Sequence, residues 1–162
     1  MAKEIERKFL VISEQYREGS VSSLYRQGYI LNSREKCVRV RVCNDKGYLT
    51  IKGATQRVTR SEFEYEIPQE EANTMLDLFC GGAILEKDRH ILTYGGFRWE
   101  VDEFHGDNEG LVVAEIELPE EETEFPKPAW LGLEVSDDPR YFNSNLLKLP
   151  FKDWADADFR NG

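Results

Sequence analysis

The sequence predicts a chain of the α+β class, mainly β: one eight-stranded antiparallel sheet closed into a barrel or tunnel, with a few helices packed outside. Three observations lead there. Short segments of alternating polar and apolar residues follow one another along most of the chain. Tight-turn signals, Asn44-Asp45-Lys46-Gly47 and Gly95-Gly96, join neighbouring segments. Only one stretch, after Pro68, carries a strong helical period. Closure also removes exposed strand edges. A chain of 162 residues suits one domain with a sizeable core. The expected division is a single domain over 1–150 and a C-terminal tail over 151–162.

Residues 3–12 form the first strand, which opens on Glu4-Ile5-Glu6-Arg7-Lys8. Alternate side chains of a strand share a face, so Glu4, Glu6 and Lys8 lie together. Neighbouring carboxylates there stand roughly 6–7 Å apart and repel by ~2.5 kcal/mol at an effective dielectric of ~20. Water screens that repulsion on an open surface, whereas an enclosed strand needs cations, as salt partners or as a bound metal. Residues 13–20 are a connection with room for one helical turn, and 23–32 a second strand carrying Arg26, Gln27 and Tyr29.

The third strand sets Val38, Val40 and Val42 against Arg39 and Arg41, and the Asn44–Gly47 turn returns the chain into a strand over 48–53 with Thr50 and Lys52 on one face. After a polar loop, 60–67 alternates Arg60, Glu62, Glu64 and Glu66 with Phe63, Tyr65 and Ile67. Pro68 then opens the helix, in which Ala72, Met75, Leu76 and Phe79 recur at helical spacing until Gly81-Gly82. Strand six, 83–94, places Lys87 and Arg89 together, and strand seven, 97–104, does so with Arg98, Glu100 and Asp102. Strand eight, 111–118, carries Glu115 and Glu117. An acidic, proline-bearing segment follows over 119–132, then a short strand at 133–135 and a helix from Pro139 to Lys148. Phe63, Tyr65, Phe79, Trp99 and Trp130 are expected in the core, and His90 and His105 at the surface or in loops. Phe151 and Trp154 are the residues able to dock the tail.

The polar faces of these strands are almost purely ionic. One arrangement turns the charges to water and buries the other face. The alternative turns them inward around a water-filled bore, with the apolar face covered by helices. Basic and acidic residues segregate by strand, Arg39, Arg41, Lys52, Lys87 and Arg89 against Glu4, Glu6, Glu115 and Glu117. A bore with one cationic and one carboxylate wall suits a phosphate chain bridged by a divalent metal.

Composition narrows the partners. With 31 acidic and 21 basic residues the net charge is -10, which excludes the basic footprint of a duplex nucleic-acid or anionic-membrane binder. No apolar run reaches membrane-spanning length, and the N-terminus lacks an apolar signal region, so a cytoplasmic protein is expected. Cys37, Cys43 and Cys80 are odd in number and scattered, as reduced thiols are.

In order along the chain stand Glu4-x-Glu6-x-Lys8, Arg39-x-Arg41, Thr50-x-Lys52-Gly53, Glu62-x-Glu64, Lys87-x-Arg89, Trp99-Glu100-Val101-Asp102, Ala114-Glu115-Ile116-Glu117-Leu118, Glu134-Val135 and Arg140-Tyr141-x-Asn143. This ordered set resembles the CYTH family, the triphosphate tunnel metalloenzymes, over about residues 2–148. The resemblance implies an eight-stranded tunnel with a charged lumen that takes triphosphate-containing substrates with Mg²⁺ or Mn²⁺. Among family activities, that of the short bacterial inorganic triphosphatases fits this short chain best. Family activities also include RNA 5′-triphosphatase; class IV adenylate cyclase, thiamine-triphosphatase, a non-catalytic polyphosphate or nucleotide binder, and a barrel stabilised by internal ion pairs with no ligand are the rivals.

On that reading Lys8, Arg39, Arg41, Lys52, Lys87 and Arg89 hold phosphate oxygens, with Tyr29 as a tunnel hydroxyl. Glu4, Glu6, Glu115 and Glu117 carry the main metal, and Glu62, Glu64 and Asp102 a second metal or water. Glu4, Glu6, Lys8, Lys52 and Lys87 are the expected catalytic set. Arg60, Glu66, Arg98 and Glu100 are expected to make wall-spacing ion pairs. The partner is a small anionic triphosphate, and the protein is a monomer or homodimer.

Overall fold

In the computed structural model, which describes residues 3–154, nine strands lie in one sheet. They are β1 (Lys3–Val11), β2 (Val21–Asn32), β3 (Lys36–Cys43), β4 (Lys46–Gly53), β5 (Thr59–Pro68), β6 (Leu85–Tyr94), β7 (Phe97–Phe104), β8 (Val112–Glu117) and β9 (Leu131–Glu134). Helix α1 is Gln69–Phe79 and α2 is Asn143–Leu146. The strand order is β5-β4-β3-β2-β6-β7-β8-β1-β9, and an antiparallel pairing of β1 with β5 closes the first eight into a barrel.

Strand β1 is the seam. Its start, Lys3 to Ile5, pairs with Thr59 to Ser61 of β5, while Glu6 to Leu10 pair with Val113 to Glu117 of β8. Its end takes β9, through Phe9 and Val11. The turn chemistry is as the sequence requires. Asn44, in the left-handed region at φ 56°, and Asp45 close the β3–β4 hairpin. Gly95 and Gly96, at φ 58° and 84°, do the same for β6–β7.

The barrel is inverted: the apolar strand faces point outward and are covered. Helix α1 lays Ala72, Leu76 and, just beyond its end, Cys80 on Val40 and Val42. It sits so close that a Cβ on Gly47 would stand 2.5 Å from the Ala72 Cβ, and one on Gly28 2.9 Å from Cys80. A second cluster covers β1, β7 and β8: Phe9, Trp99, Val101, Ala114 and Ile116 lie under Tyr16, Leu118 and Trp130. A third gathers Leu85, Phe104, Val113, Tyr141, Leu146, Phe151 and Trp154. Phe151 and Trp154 therefore dock, and the rest of the expected tail lies outside the described residues.

Four expectations change. The helix over 139–148 is broken: Pro139–Tyr141 is a 3₁₀ turn, Phe142 is extended at ψ 132°, and α2 begins at Asn143. Phe63, Tyr65 and Phe79 are exposed, because α1 packs mainly over β2, β3 and β4 and leaves the outer side of β5 open. His90 is buried, because the Gln15–Arg17 turn folds over β6 and sets Tyr16 edge-on against its ring. Glu66, which was expected to face the lumen, lies at the rim and pairs with Lys46 outside it. No helix among the described residues is long and apolar enough to cross a membrane.

Candidate active site

Inversion puts the ionic faces inside. Read around the barrel, β4, β3, β2 and β6 are consecutive and carry Lys52, Arg39, Arg41, Lys87 and Arg89. The other half of the ring, β7, β8, β1 and β5, carries Asp102, Glu100, Glu115, Glu117, Glu4, Glu6, Glu62 and Glu64. Segregation by strand thus becomes segregation by wall. Two adjoining cavities fill the bore and share Glu4, Glu6, Arg39, Lys52 and Asn143. The larger, about 320 Å³, is bounded by Arg41, Arg89, Glu115 and Glu117 among others. The smaller, about 110 Å³, reaches Lys8, Tyr29, Arg60 and the turn at Phe142.

Ion pairs line the bore, most of them between neighbouring strands. Lys52 Nζ donates to both oxygens of Glu4 at 3.0 Å and stands 3.3 Å from Glu62. Lys8 Nζ is 3.5 Å from Glu115 and donates to the Tyr141 carbonyl at 3.1 Å, with the Phe142 ring against it. Arg41 donates to Glu64 at 2.8 Å, and the buried Thr50 hydroxyl donates to the same oxygen at 2.7 Å. Arg89 makes a two-pronged pair with Asp102, both contacts 2.8 Å, and Lys87 Nζ is also 2.8 Å from Asp102. The Tyr25 ring lies between the Arg41 and Arg89 guanidiniums, at 5.1 and 5.2 Å.

On the cationic wall the pairing is uneven: burial acts downward, but surrounding anions outweigh it and raise Arg39, Lys52 and Arg89, whereas Arg41 and Lys87 are lowered. Burial, with Arg39 and Arg89 alongside, pulls Arg41 down to about 10. Burial and Arg89 pull Lys87 down to about 7. Across the bore, burial together with Glu115 and Glu4 pushes Glu6 well above the usual carboxylate range, and burial with Glu100 and Glu4 raises Glu117. Glu6 and Glu117 are cross-strand neighbours, and neither has a cationic side chain within ion-pair distance among the described residues. Glu115 behaves oppositely: burial acts upward, but Lys8 and Arg89 outweigh it and bring the group to about 2. An added anion therefore relieves the cationic wall at Arg41, and an added cation relieves the other wall at Glu6 and Glu117.

That contrast divides the seven carboxylates expected to bind metal. Glu6 and Glu117 are anions lacking a counter-charge, with Glu4 and Glu115 next to Glu6, so this group fits a hard divalent ion. Glu62 is shared with Lys52. Arg41 and Thr50 occupy Glu64, and Arg89 and Lys87 occupy Asp102. Here these two carboxylates hold cations in place. Among the described residues no three carboxylates already converge on one point.

A family model described as CYTH domain matches residues 2–142. The chain belongs to the CYTH family. It is 54% identical over 156 residues to an inorganic triphosphatase of Acetivibrio thermocellus, covering 96% of this chain and 100% of that one. An inorganic triphosphatase of Nitrosomonas europaea is 32% identical over 153 residues, covering 91% and 99%. A crystal structure named as that of an inorganic triphosphatase aligns with a TM-score of 0.66 at 30% identity, over 91% of this chain and 95% of that one.

In this CYTH barrel the expected site residues fall into two layers. Glu4, Glu6, Lys8, Tyr29, Arg39, Arg41, Lys52, Glu62, Glu64, Arg89, Glu115 and Glu117 line the open bore. Lys87 and Asp102 do not; they are fully buried behind it, with Lys87 Nζ donating to Asn143 Oδ1 at 3.3 Å. Sequence reasoning missed Tyr25 and Tyr48, whose in-phase spacing with Gln27 and Thr50 was a usable signal, and gave Arg60 the wrong partner. Expected to make a wall-spacing ion pair, Arg60 instead donates to the Gly53 carbonyl at 3.1 Å.

Proposed function

We propose that the protein hydrolyses inorganic triphosphate: tripolyphosphate + H₂O → pyrophosphate + phosphate. The observation that carries this reading is the pair of opposed walls. A polyphosphate offers a further anion to the cationic wall, where burial and the neighbouring guanidiniums hold Arg41 low, and its accompanying divalent metal offers the cation that Glu6 and Glu117 lack. Neither partner alone satisfies both walls.

Glu6 and Glu117, with Glu4 and Glu115, would hold Mg²⁺ or Mn²⁺, which when bound supplies charge neutralisation on the phosphate oxygens. The chain's own groups do the rest. Arg39, Arg41 and Arg89 present forks to non-bridging oxygens along one wall. Lys52 and Lys8 add point charges at the smaller cavity, and the Tyr29 hydroxyl faces the same space. Asp102 and Glu64 fix the guanidiniums before substrate arrives, so charge developing on the leaving pyrophosphate meets donors that need not reorganise. Water attacks phosphorus, the P–O bond to pyrophosphate breaks, and the water's proton leaves with the products. Lys87 reaches phosphate only by exchanging Asn143 Oδ1 for a phosphate oxygen.

A single barrel contains the whole set, so a monomer or a homodimer serves equally. The three free cysteines suit a reducing compartment, the cytoplasm. The test is phosphate release from tripolyphosphate, ATP and thiamine triphosphate with each metal. Release from tripolyphosphate that exceeds the others and needs metal is expected. No release from tripolyphosphate with either metal would end this reading.

A further inference from the structure

Arg60 stands apart from every other cation that faces the bore. Lys8, Arg39, Arg41, Lys52, Arg89 and Arg98 each have a carboxylate oxygen within 4 Å. Among the described residues Arg60 has none, although Glu4 is its cross-strand partner. Glu4 commits both oxygens to Lys52 instead. The Arg60 guanidinium is nevertheless held, with Nε on the Gly53 carbonyl at 3.1 Å and Nη2 4.0 Å from Cys37 Sγ, a weak acceptor. Guanidinium nitrogens carry five N–H donors, so most of these donors remain available. Arg39, which lines the same smaller cavity, is buried, and its Nε has no partner.

We infer that Arg60 is a further substrate-contacting residue, which together with Arg39 grips the unesterified terminal phosphate of the chain at this end of the bore. The inference rests on the triphosphatase reading and assigns one end of its substrate. The shape of the cavity sets the chemical class. At about 110 Å³ it lies well below the ~300 Å³ at which small-molecule sites begin. Phe142, Asn143 and Ser144 wall it on one side. A phosphoryl group fits that space, and a nucleoside finds more room in the larger cavity. An esterified triphosphate must therefore enter with its free end toward Arg60 and leave its organic group at the other end of the bore, near Tyr25 and Tyr48. A terminal phosphate also carries the most charge per phosphorus, which favours an arginine fork free of any carboxylate.

The test compares R60Q and R60K with the wild-type protein, after thermal unfolding establishes that each folds. R60Q should raise KM for tripolyphosphate by about 10- to 100-fold while kcat stays within about threefold, and R60K, which keeps the charge but not the fork, should fall between. Should R60Q fail to fold, R60K is read alone, with a KM at least about threefold raised expected. A KM equal to that of the wild-type protein overturns the inference. A dinucleoside triphosphate, capped at both ends, should not compete with tripolyphosphate; competition at equal concentration overturns the terminal assignment. If the wild-type protein releases no phosphate, the functional reading has failed on its own. The inference is then read by titration calorimetry with tripolyphosphate and Mg²⁺. Weaker binding by R60Q supports it, and equal binding or no binding to wild type overturns it.

Discussion

Lys87 Nζ lies 2.8 Å from Asp102 Oδ2 with both side chains closed off from solvent, and the same carboxylate already holds Arg89 in two contacts of 2.8 Å. One anion thus serves two buried cations. Asp102 is needed to keep them in place, and Lys87 is the cation left over.

Replacing Asp102 by Asn removes the only carboxylate within 4 Å of Lys87 among the described residues and leaves Arg89 with Glu100 alone, at 3.4 Å. Loss of one partner from a buried pair costs about 3–5 kcal/mol. Chemical denaturation should show a D102N loss of that order at pH 7. Burial raises Asp102, but Arg89 and Lys87 outweigh it and hold the group below the usual range. Its stabilising contribution is present above the unfolded aspartate value and is lost as pH falls through the folded one, so the gap between D102N and wild type should shrink in strong acid.

Lys87 titrates at about 7 in the free protein, because of burial and Arg89. A folded value below the unfolded one means the unfolded chain binds more protons between about pH 7 and pH 10, so this group makes stability rise with pH across that window. A phosphate oxygen replacing Asn143 Oδ1 would favour the charged form. At pH 8, binding of tripolyphosphate without metal should therefore take up more protons in wild type than in Lys87→Met. Calorimetry in buffers of different ionisation enthalpy measures the difference, and identical uptake would show that Lys87 never meets the ligand.

Glu6 has the opposite problem. Its raised value means that its contribution to stability is full below the unfolded glutamate value and is lost as pH rises through the folded one. Without metal at neutral pH, Glu6→Gln should be as stable as wild type or more so, by about 1 kcal/mol, equivalent to about 2–4 °C in Tm. Metal-dependent turnover should nevertheless disappear. Glu64→Gln should do the reverse, loosening Arg41 and raising KM while metal dependence is retained. If E6Q keeps its metal requirement, the assignment of Glu6 to the metal is wrong.

A methyl group at residue 47 has no room, since the Ala72 Cβ would stand 2.5 Å away. Gly47→Ala should push α1 off the barrel and cost about 1–3 kcal/mol. Denaturant melts check this, and an unchanged midpoint would mean the helix slides freely.

Much of this was legible in the chain. Val38, Val40 and Val42 against Arg39 and Arg41, the Asn44-Asp45 turn and Gly95-Gly96 gave strands and hairpins close to their observed bounds, because period and turn chemistry are local. Which face turned inward was not local; it follows from α1 and the 118–130 segment covering the apolar side. The register that sets Arg89 beside Asp102 could not be read from either strand alone. Arg60 shows the same limit: its in-phase glutamates were visible, but not that Lys52 would capture Glu4 and Glu62 first. The break at Phe142 is a tertiary effect, where a ring goes to Lys8 and not along a helix.

The seam in β1 governs assembly. Its residues 6–10 meet β8 more than a hundred positions later, whereas β3–β4 and β6–β7 close over two-residue turns. Sequence-distant pairing carries the larger loop-closure cost, so β1, made before the other strands of this sheet, is the last able to find its neighbour. Glu4 and Glu6 come from that strand, and Glu115 and Glu117 from the one it waits for. Capacity for metal should accordingly emerge in refolding only with the slowest kinetic phase, after the arginine-bearing hairpins have formed.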